Sequence, residues 1–250
     1  MHKKIIFLIL TVLLCVACST STILIKSATS GRIPINKTTD ATADIAYNNY
    51  LQPYKQKIDK EMNVVIGTAS ENMSSGKPES LLSNFNADVY LQSATEYLKY
   101  PADIGIVNLG GLRTQISKGD ITIRKVFELM PFENELVILW LKGDKLHDLL
   151  QGFAAVGGQG VSGLRFEIKN GKAVNITVGG IPIDVEKKYV IATNDYLAGG
   201  NDKMPQLAQS EKIEYTGIKI RDMLIAYIKA ETARGNTIQP KLDGRITPNP

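Results

Sequence analysis

A short segment of the chain combines a glycine pair with an arginine, and this combination is suited to holding a ligand. The segment covers residues 108–113, Asn-Leu-Gly-Gly-Leu-Arg, and follows an apolar stretch at 103–107. Glycines without a Cβ allow the backbone to approach a ligand closely and to present its N–H groups. The planar guanidinium of Arg113 could donate to phosphate or ribose oxygens, each charge-assisted bond contributing about 1.5–3 kcal/mol. A structural turn is the commoner explanation of a Gly-Gly pair, so the segment alone leaves both interpretations open.

Two aromatic residues in predicted loops could bind a flat ring. Phe132 follows Pro131, which ends a predicted helix, and Tyr196 follows a predicted strand at 189–193. Rings on separate loops can stack on the two faces of a nucleobase, each contributing roughly 1–3 kcal/mol. An apolar ring after a proline is more often a core residue. Composition alone does not decide between stacking and packing.

The sequence has too few metal-ligating residues for metal-dependent hydrolysis of its own. A two-metal hydrolase site needs several His, Asp and Asn ligands. The chain has two His; His2 lies in a predicted signal peptide, and His147 lies on the polar side of a predicted amphipathic helix, where a solvated position is expected. No HExxH, CxxC, Asp-rich calcium loop or GxSxG motif occurs. We therefore expect no catalytic residue, metal site or cofactor in this chain.

Hydrophobic periodicity and turn residues place these motifs between strands and helices. We predict strands at 64–69, 103–107, 135–142, 165–169, 173–178, 189–193 and 244–247. We predict helices that are opened or capped by Pro78, Thr122, Gly143-Asp144 and Thr216. Asn170-Gly171 predicts a tight hairpin, because both turn positions need a positive φ. The mixture of helices and hairpins in non-alternating order indicates an α+β fold.

Two blocks of the sequence resemble the C-terminal, substrate-binding domain of the 5′-nucleotidase family. The first, 103–143, has the order strand, Asn-x-Gly-Gly-x-Arg, Gly-Asp-Ile-Thr, Pro-Phe-x-Asn, and a strand ending in Lys-Gly. The second, 189–202, contains Ala-Thr-Asn-Asp-Tyr-Leu-Ala followed by Gly-Gly-Asn-Asp, and a Glu-Ser-Leu-Leu-Ser-Asn segment at 79–84 lies upstream. The resemblance implies a single α+β domain with α/β/β/α layers.

The resemblance also implies a nucleoside site. Arg113 would contact the ribose or phosphate side of a substrate, and Asn108 would meet the base region. Phe132 would stack on the base, Tyr196 would lie on its opposite face, and Asp202 would orient the ribose. The full predicted set is Asn108, Gly110, Gly111, Arg113, Phe132, Asn134, Tyr196 and Asp202.

Three positions depart from the family's pattern or follow it loosely. The family usually has Asn-Gly-Gly-Asp in its last loop, whereas this chain has Gly-Gly-Asn-Asp at 199–202. Where the family carries a further substrate-binding Arg, this chain has Lys77, which keeps the charge but loses the planar fork. The glycine-rich loop at 157–160 aligns loosely with a family glycine near the base.

The N-terminal segment predicts export. Lys3 and Lys4 precede an apolar stretch at 5–16. About 12 residues suit a signal peptide and fall short of the ~20 that a membrane-spanning helix needs. Ala17-Cys18, followed by Ser and Thr, resembles a bacterial lipoprotein signal with Cys18 as the lipidated residue. Cleavage nearby by an ordinary signal peptidase is the alternative.

Composition completes the predicted domain organisation. We expect a signal peptide at 1–18, a flexible Ser/Thr-rich tether at 19–44 and the 5′-nucleotidase C-terminal-like domain at 45–247, periplasmic or at the cell surface and anchored to a membrane. Both Cys lie in the signal peptide, so no disulfide is expected. Loss of Lys3 and Lys4 lowers the formal charge from +4 to +2, which does not favour a nucleic-acid partner.

The resemblance suggests three functions. In the family, the metals and the catalytic His lie in an N-terminal metallophosphatase domain, for which this chain has no ligands. The first hypothesis is a nucleotide-binding subunit that pairs with a separate metallophosphatase chain, which would supply the divalent metals. The alternatives are a non-catalytic nucleoside-binding lipoprotein and a structural domain with an empty pocket.

Overall fold

The computed structural model describes residues 25–34, 36 and 44–249. The predicted signal peptide, Cys18 and part of the predicted tether lie outside these residues. The chain divides into two compact units at Gln52/Pro53, and the features discussed below belong to the second, residues 53–250. Among the described residues, no helix is both long and apolar enough to cross a membrane.

Six α-helices and eleven strands occur in the described part of the chain. The helices are α1 Ile45–Met62, α2 Leu81–Leu98, α3 Ile123–Leu129, α4 Gly143–Ala155, α5 Asp195–Ala198 and α6 Ile220–Ala233. The strands are β1 Val65–Ala69, β2 Ile104–Val107, β3 Gly119–Thr122, β4 Glu135–Lys142, β5 Gly160–Ser162, β6 Leu164–Lys169, β7 Lys172–Val178, β8 Ile181–Pro182, β9 Lys188–Asn194, β10 Lys212–Lys219 and β11 Ile246–Pro248.

The strands form three sheets. A five-stranded sheet has the order β10-β4-β9-β2-β5, a four-stranded sheet has the order β11-β6-β7-β8, and β1 pairs with β3. Strand β2 runs parallel to β9 and β11 runs parallel to β6, whereas the other pairs are antiparallel. Mixed sheets combined with helices confirm the predicted α+β class.

The five-stranded sheet is buried on both faces, and β4 shows why its sequence is continuously apolar. Leu136 and Ile138 belong to a core shared with α2 and α6. Val137 and Leu139 belong to a second core shared with α4 and the four-stranded sheet. A strand covered on both faces needs apolar residues at consecutive positions, because successive side chains point in opposite directions.

Local signals predicted several elements correctly. Strand β4 has the predicted bounds, and the predicted hairpin joins β6 to β7 through Asn170 (φ 50°) and Gly171 (φ 72°). Thr122 caps α3 by accepting a hydrogen bond from the Lys125 N–H at 3.2 Å. These outcomes follow from local physics, namely strand burial, positive-φ turn positions and N-cap hydrogen bonding.

Two predicted helix starts and one predicted helix cap were wrong. Pro78 precedes α2, whose N-cap is Ser80, and the Ser80 side chain accepts from the Ser83 N–H at 3.3 Å. Gly143 is the first residue of α4, and the preceding Lys142 makes no side-chain cap. Gly143 is required by close packing instead, because a Cβ there would lie 2.0 Å from a backbone oxygen.

The second wrong start is Thr216, which lies in β10. Its hydroxyl donates to the backbone oxygen of Leu136 at 2.8 Å, so the residue joins β10 to β4. Helix α6 begins four residues later, at Ile220. Pairing with β4 determines the structure of this segment, and β4 lies far from β10 in the sequence.

Candidate functional site

A cavity of about 680 Å³ opens at one end of the strands of the five-stranded sheet. Residues next to four of the five strands line the cavity at this end. The chain reaches it after β2, before β4, after β9 and after β10, and each junction contributes lining residues. Loops at the carboxyl ends of neighbouring parallel strands, here β2 and β9, are a favoured place for ligand sites.

All eight residues predicted to bind substrate line this one cavity. They come from segments that are far apart in the sequence, and the fold brings them together. The lining is Asn108, Gly110, Gly111, Arg113, Met130, Phe132, Glu133, Asn134, Asn194, Tyr196, Asp202 and Ile220. Four of these were not predicted. Met130 precedes the Pro-Phe-x-Asn motif, Glu133 lies within it and Asn194 lies in the second block, so these three could have been included. Ile220 arrives only through the pairing of β10 with β4.

The turn after β2 fixes Asn108 at the base of the cavity. Asn108 is 6% exposed and precedes a 3-10 turn at Leu109–Gly111. A Cβ on Gly111 would lie 2.8 Å from the Asn108 side-chain oxygen, so this glycine makes room for the asparagine. The Gly111 N–H donates to the Asn108 backbone oxygen at 3.1 Å. The interpretation that the glycine pair presents free N–H groups is therefore wrong for Gly111.

Asp202 accepts one hydrogen bond on each oxygen. The Asn108 amide donates to Oδ2, and the Tyr196 hydroxyl donates to Oδ1 at 2.9 Å. Within the described residues these two partners are neutral, and no ion pair involves Asp202. The hydrogen bond to the Asp202 carboxylate, reinforced by its charge, raises the pKa of Tyr196. Tyr196 therefore remains a protonated donor at neutral pH.

The Phe132 ring is presented to the cavity and not to the core. It is 46% exposed and belongs to neither hydrophobic core, which argues against the core-residue interpretation. Its loop is held by contacts of its neighbours. The Ile220 N–H donates to the Asn134 backbone oxygen at 2.9 Å, and Lys219 Nζ donates to the Glu133 backbone oxygen at 2.9 Å. A fixed loop lets an exposed ring keep its position.

An ion pair adds to this anchoring. Arg221 on α6 forms a charge-assisted hydrogen bond with the Glu133 carboxylate, and its guanidinium carbon lies 4.0 Å from the centre of the Phe127 ring. The hydrogen bond from Arg221 lowers the pKa of Glu133. Because the Glu133 side chain is exposed, the pair is screened by solvent and contributes modestly.

The two segments that carry the aromatic rings are joined to each other. The Asn134 amide donates to Asp195 Oδ1 at 2.6 Å, and the same oxygen accepts from the Tyr196 N–H at 2.9 Å. Tyr196, 44% exposed, lies in the short helix α5 and not in a loop as predicted. Asn194 caps this helix by accepting from the Leu197 N–H at 2.8 Å. Asn134 therefore couples the position of one ring to that of the other.

Arg113 lies at the rim, where it can reach a ligand. Its Nη1 donates to the Gly110 backbone oxygen at 3.2 Å, and its guanidinium carbon lies 6.0 Å from the centre of the Phe132 ring. A guanidinium has five N–H donors, so most of them remain available. Lys77, in contrast, is not among the lining residues, and its ammonium group donates to the backbone oxygen of Val156. The position where the family has a further arginine does not reach this cavity.

The cavity has no metal-binding character of its own. Within the described residues, no group of three or more His, Cys, Asp or Glu side chains could hold a metal ion. His147 lies away from the cavity on α4, where its side chain is 42% exposed and its Nε2 lies 3.3 Å from the amide nitrogen of Gln151. This placement agrees with the solvated position expected from the sequence.

Sequence comparisons connect this geometry to a family. Residues 65–209 match the model for the 5′-nucleotidase C-terminal domain. The chain is 26% identical to Protein UshA of Escherichia coli (strain K12) over 197 residues, which are 75% of this chain and 36% of that protein. It is 27% identical to the trifunctional nucleotide phosphoesterase protein YfkN of Bacillus subtilis over 235 residues, which are 86% of this chain and 16% of that protein.

Solved structures have the same fold as this chain. A 5′-nucleotidase precursor from Thermus thermophilus superposes with a TM-score of 0.70 at 29% identity, covering 83% of this chain and 44% of that one. A putative 5′-nucleotidase from Staphylococcus aureus has the same fold, with a TM-score of 0.63 at 17% identity over 82% of this chain and 45% of that one. The chain spans about a third of the length of UshA-type relatives. On the match over residues 65–209, the chain belongs to the 5′-nucleotidase C-terminal domain family.

Proposed function

We propose that the cavity binds the nucleoside part of a nucleotide, and that the chain is the substrate-binding part of a 5′-nucleotidase whose metallophosphatase part is a separate protein. One observation carries the proposal: two exposed rings, a carboxylate without a cationic partner and an arginine converge on one cavity. A cavity of about 680 Å³ falls within the ~300–1,000 Å³ range of small-molecule sites.

Each ligand group has a partner in the cavity. Phe132 and Tyr196 are placed to hold the base, because exposed rings on fixed segments can stack on it from either side. Asp202 accepts hydrogen bonds from the ribose. The Asn108 amide holds the Asp202 carboxylate in place, and the Asn134 amide joins the Phe132 segment to Asp195. Arg113 at the rim donates to ribose or phosphate oxygens.

Hydrolysis requires chemistry that the described residues do not supply. Divalent metals in a metallophosphatase activate water and neutralise the charge on the phosphate. The described side chains of the cavity do not fit such ions, because both of its carboxylates are engaged and no group of three His, Cys, Asp or Glu side chains forms there. Asp202 accepts from one amide and one hydroxyl, and Glu133 pairs with Arg221. The proposal therefore assigns binding to this chain and phosphate release to its partner.

The proposal also includes export. The predicted lipidation at Cys18 would tether the domain to a membrane in the periplasm or at the cell surface. Detergent fractionation of cells that express the wild type or Cys18→Ala tests this location. Equal solubility of the two proteins would contradict the tether.

The test of function has a binding arm and an activity arm. Adenosine and AMP are titrated calorimetrically into the purified protein, and phosphate release from AMP is measured with and without an added metallophosphatase-domain protein that lacks a C-terminal domain. We expect binding by the protein alone and hydrolysis only with the partner. The matched control is Tyr100→Ala, which removes an exposed ring outside the cavity.

Two outcomes would contradict the proposal. Absence of adenosine and AMP binding by the wild type would reject the nucleoside site. Metal-dependent AMP hydrolysis by the purified protein alone would reject the division of labour between two proteins. Binding without hydrolysis in any mixture would instead favour a non-catalytic nucleoside-binding lipoprotein.

A further inference from the structure

We propose that the hydroxyl of Tyr196 is a positioning group that holds the Asp202 carboxylate in the orientation in which it receives the vicinal diol of a ribose. The proposal rests on the proposed function and deepens it by naming the residue that positions the ribose contact and thereby sets the preference for ribosides over deoxyribosides. It also separates two roles of one side chain, the ring as a stacking surface and the hydroxyl as a holder of Asp202.

The first observation is the pattern of donors on Asp202. Each carboxylate oxygen accepts one hydrogen bond, from Asn108 on one side and from Tyr196 on the other. An ionised carboxylate has about four lone-pair positions, so one remains free on each oxygen. One free acceptor position on each oxygen matches in number the two donors of a vicinal diol.

The second observation is that Asp202 depends on side chains for its orientation. Asp202 and Lys203 have φ values of 53° and 63° in an exposed loop after α5. The terminal torsion of an aspartate has broad energy wells, so a single donor would leave the carboxylate plane free to rotate. A donor on each oxygen restricts that rotation.

The two donors differ in how firmly they are held. Asn108 is almost fully buried and packs against Gly111, so its amide is a rigid reference point. Tyr196 is half-exposed, but its backbone N–H is bonded to Asp195, which is bonded in turn to Asn134. The hydroxyl thus links Asp202 to the segment that carries the other ring.

The hydroxyl proton of Tyr196 is committed to Asp202 and is not available to a ligand. The neighbouring carboxylate also raises the pKa of Tyr196, so the proton stays in place across the neutral range. The hydroxyl therefore acts on a ligand through Asp202. Replacing Tyr196 with Phe removes this action and keeps the ring.

The experiment measures dissociation constants of adenosine and 2′,3′-dideoxyadenosine for the wild type, Tyr196→Phe and Asp202→Asn. The control is Tyr100→Phe, which removes an exposed hydroxyl outside the cavity. The account predicts that Tyr196→Phe weakens adenosine binding about 3–10-fold more than dideoxyadenosine binding, the effect of one hydrogen bond. Asp202→Asn should reduce the preference for adenosine further, and Tyr100→Phe should change neither constant.

Four results would overturn the proposal. Equal weakening of both ligands by Tyr196→Phe would show that the hydroxyl acts only on the ring or on the fold. No change in either constant would show that Asp202 does not need the hydroxyl. Wild-type protein that binds both ligands equally would reject diol selection while leaving the nucleoside site intact, whereas wild-type protein that binds neither would reject the site itself.

Discussion

Two regions of this domain place carboxylates in opposite environments. At the cavity, Asp202 is exposed and its partners are neutral. On the far side of α2, the guanidinium of Arg245 is 8% exposed and bonds Asp88 at 2.7 Å and Asp243 at 2.9 Å. Glu79 lies 3.9 Å from the same guanidinium. One cluster leaves a carboxylate without a cation, and the other surrounds a cation with three carboxylates.

The difference separates a group that stabilises the fold from one that is available to a ligand. Arg245 also donates to the backbone oxygen of Val161 at 2.9 Å, so it holds the chain's last segment against α2 and β5. Burial opposes the charge on Asp243, but the hydrogen bonds from Arg245 hold the pKa of Asp243 below its usual value. Among the described residues Asp202 has no cationic partner, and its remaining acceptor positions are open to hydrogen-bond donors of a ligand.

The largest expected effect is on stability. Arg245→Met removes the cation beside Glu79 and Asp88, while Asp243 keeps its ion pair with Arg165. Because Asp88 and Asp243 are partly solvated, we expect a loss of about 3 kcal/mol, the lower end of the range for a fully buried ion pair. Urea unfolding measures the loss. Adenosine affinity of the folded fraction should stay within about twofold of wild type, because the cluster lies outside the cavity. A large loss of affinity in folded protein would break the comparison between the two clusters.

The next largest effect is a loss of ligand affinity with little change in the stability of the fold. Phe132→Ala removes one stacking face and should weaken adenosine binding by about 1–3 kcal/mol, or roughly 5–150-fold. The melting temperature should change little, because the ring lies outside both cores. The Tyr100→Ala control should bind like wild type. A variant that melts far lower, yet binds adenosine normally while folded, would assign Phe132 to the core.

Arg113→Ala should weaken adenosine or AMP binding, because the cavity loses its cationic donor. The expected loss is about 1.5–3 kcal/mol if the guanidinium bonds a ribose or phosphate oxygen. Calorimetric titration with both ligands also locates the contact. A loss confined to AMP indicates a phosphate contact, an equal loss for both indicates a ribose contact, and no loss for either would refute a binding role.

The smallest effect is a pH-dependent one on the Phe132 loop. The hydrogen bond from Arg221 lowers the pKa of Glu133 in the folded protein. The ion pair therefore stabilises the fold above the unfolded pKa of about 4.5 and loses its contribution as the pH falls through the folded value. Melting of wild type and Glu133→Gln should differ slightly near neutral pH and converge in acid, below the folded pKa of Glu133. A difference that persists at the acidic end would mean that the charge is not responsible.

The sequence predicted the parts of the fold that depend on near neighbours. Strand β4, the Asn170-Gly171 turn and the Thr122 cap each arise from a pattern within a few residues. Strand β10 was missed because its residues alternate irregularly at the exposed edge of a sheet, and only pairing with β4 makes it a strand.

The candidate site shows the same limit. Motifs indicated eight residues that line the cavity, but not the bonds among them. The bond from Asn108 to Asp202 joins residues 94 positions apart, and the bond from Asn134 to Asp195 joins residues 61 positions apart. Such contacts depend on how the strands are ordered in the sheet. The same is true of Gly111, where only glycine fits because the Asn108 side chain occupies the space that a Cβ would take.

A crystal structure of the protein with adenosine would test the central claim most directly. The account predicts that the base lies between Phe132 and Tyr196 and that the ribose hydroxyls donate to Asp202 at about 2.5–3.0 Å. Adenosine bound elsewhere, or bound in the cavity with its base away from both rings, would contradict the account.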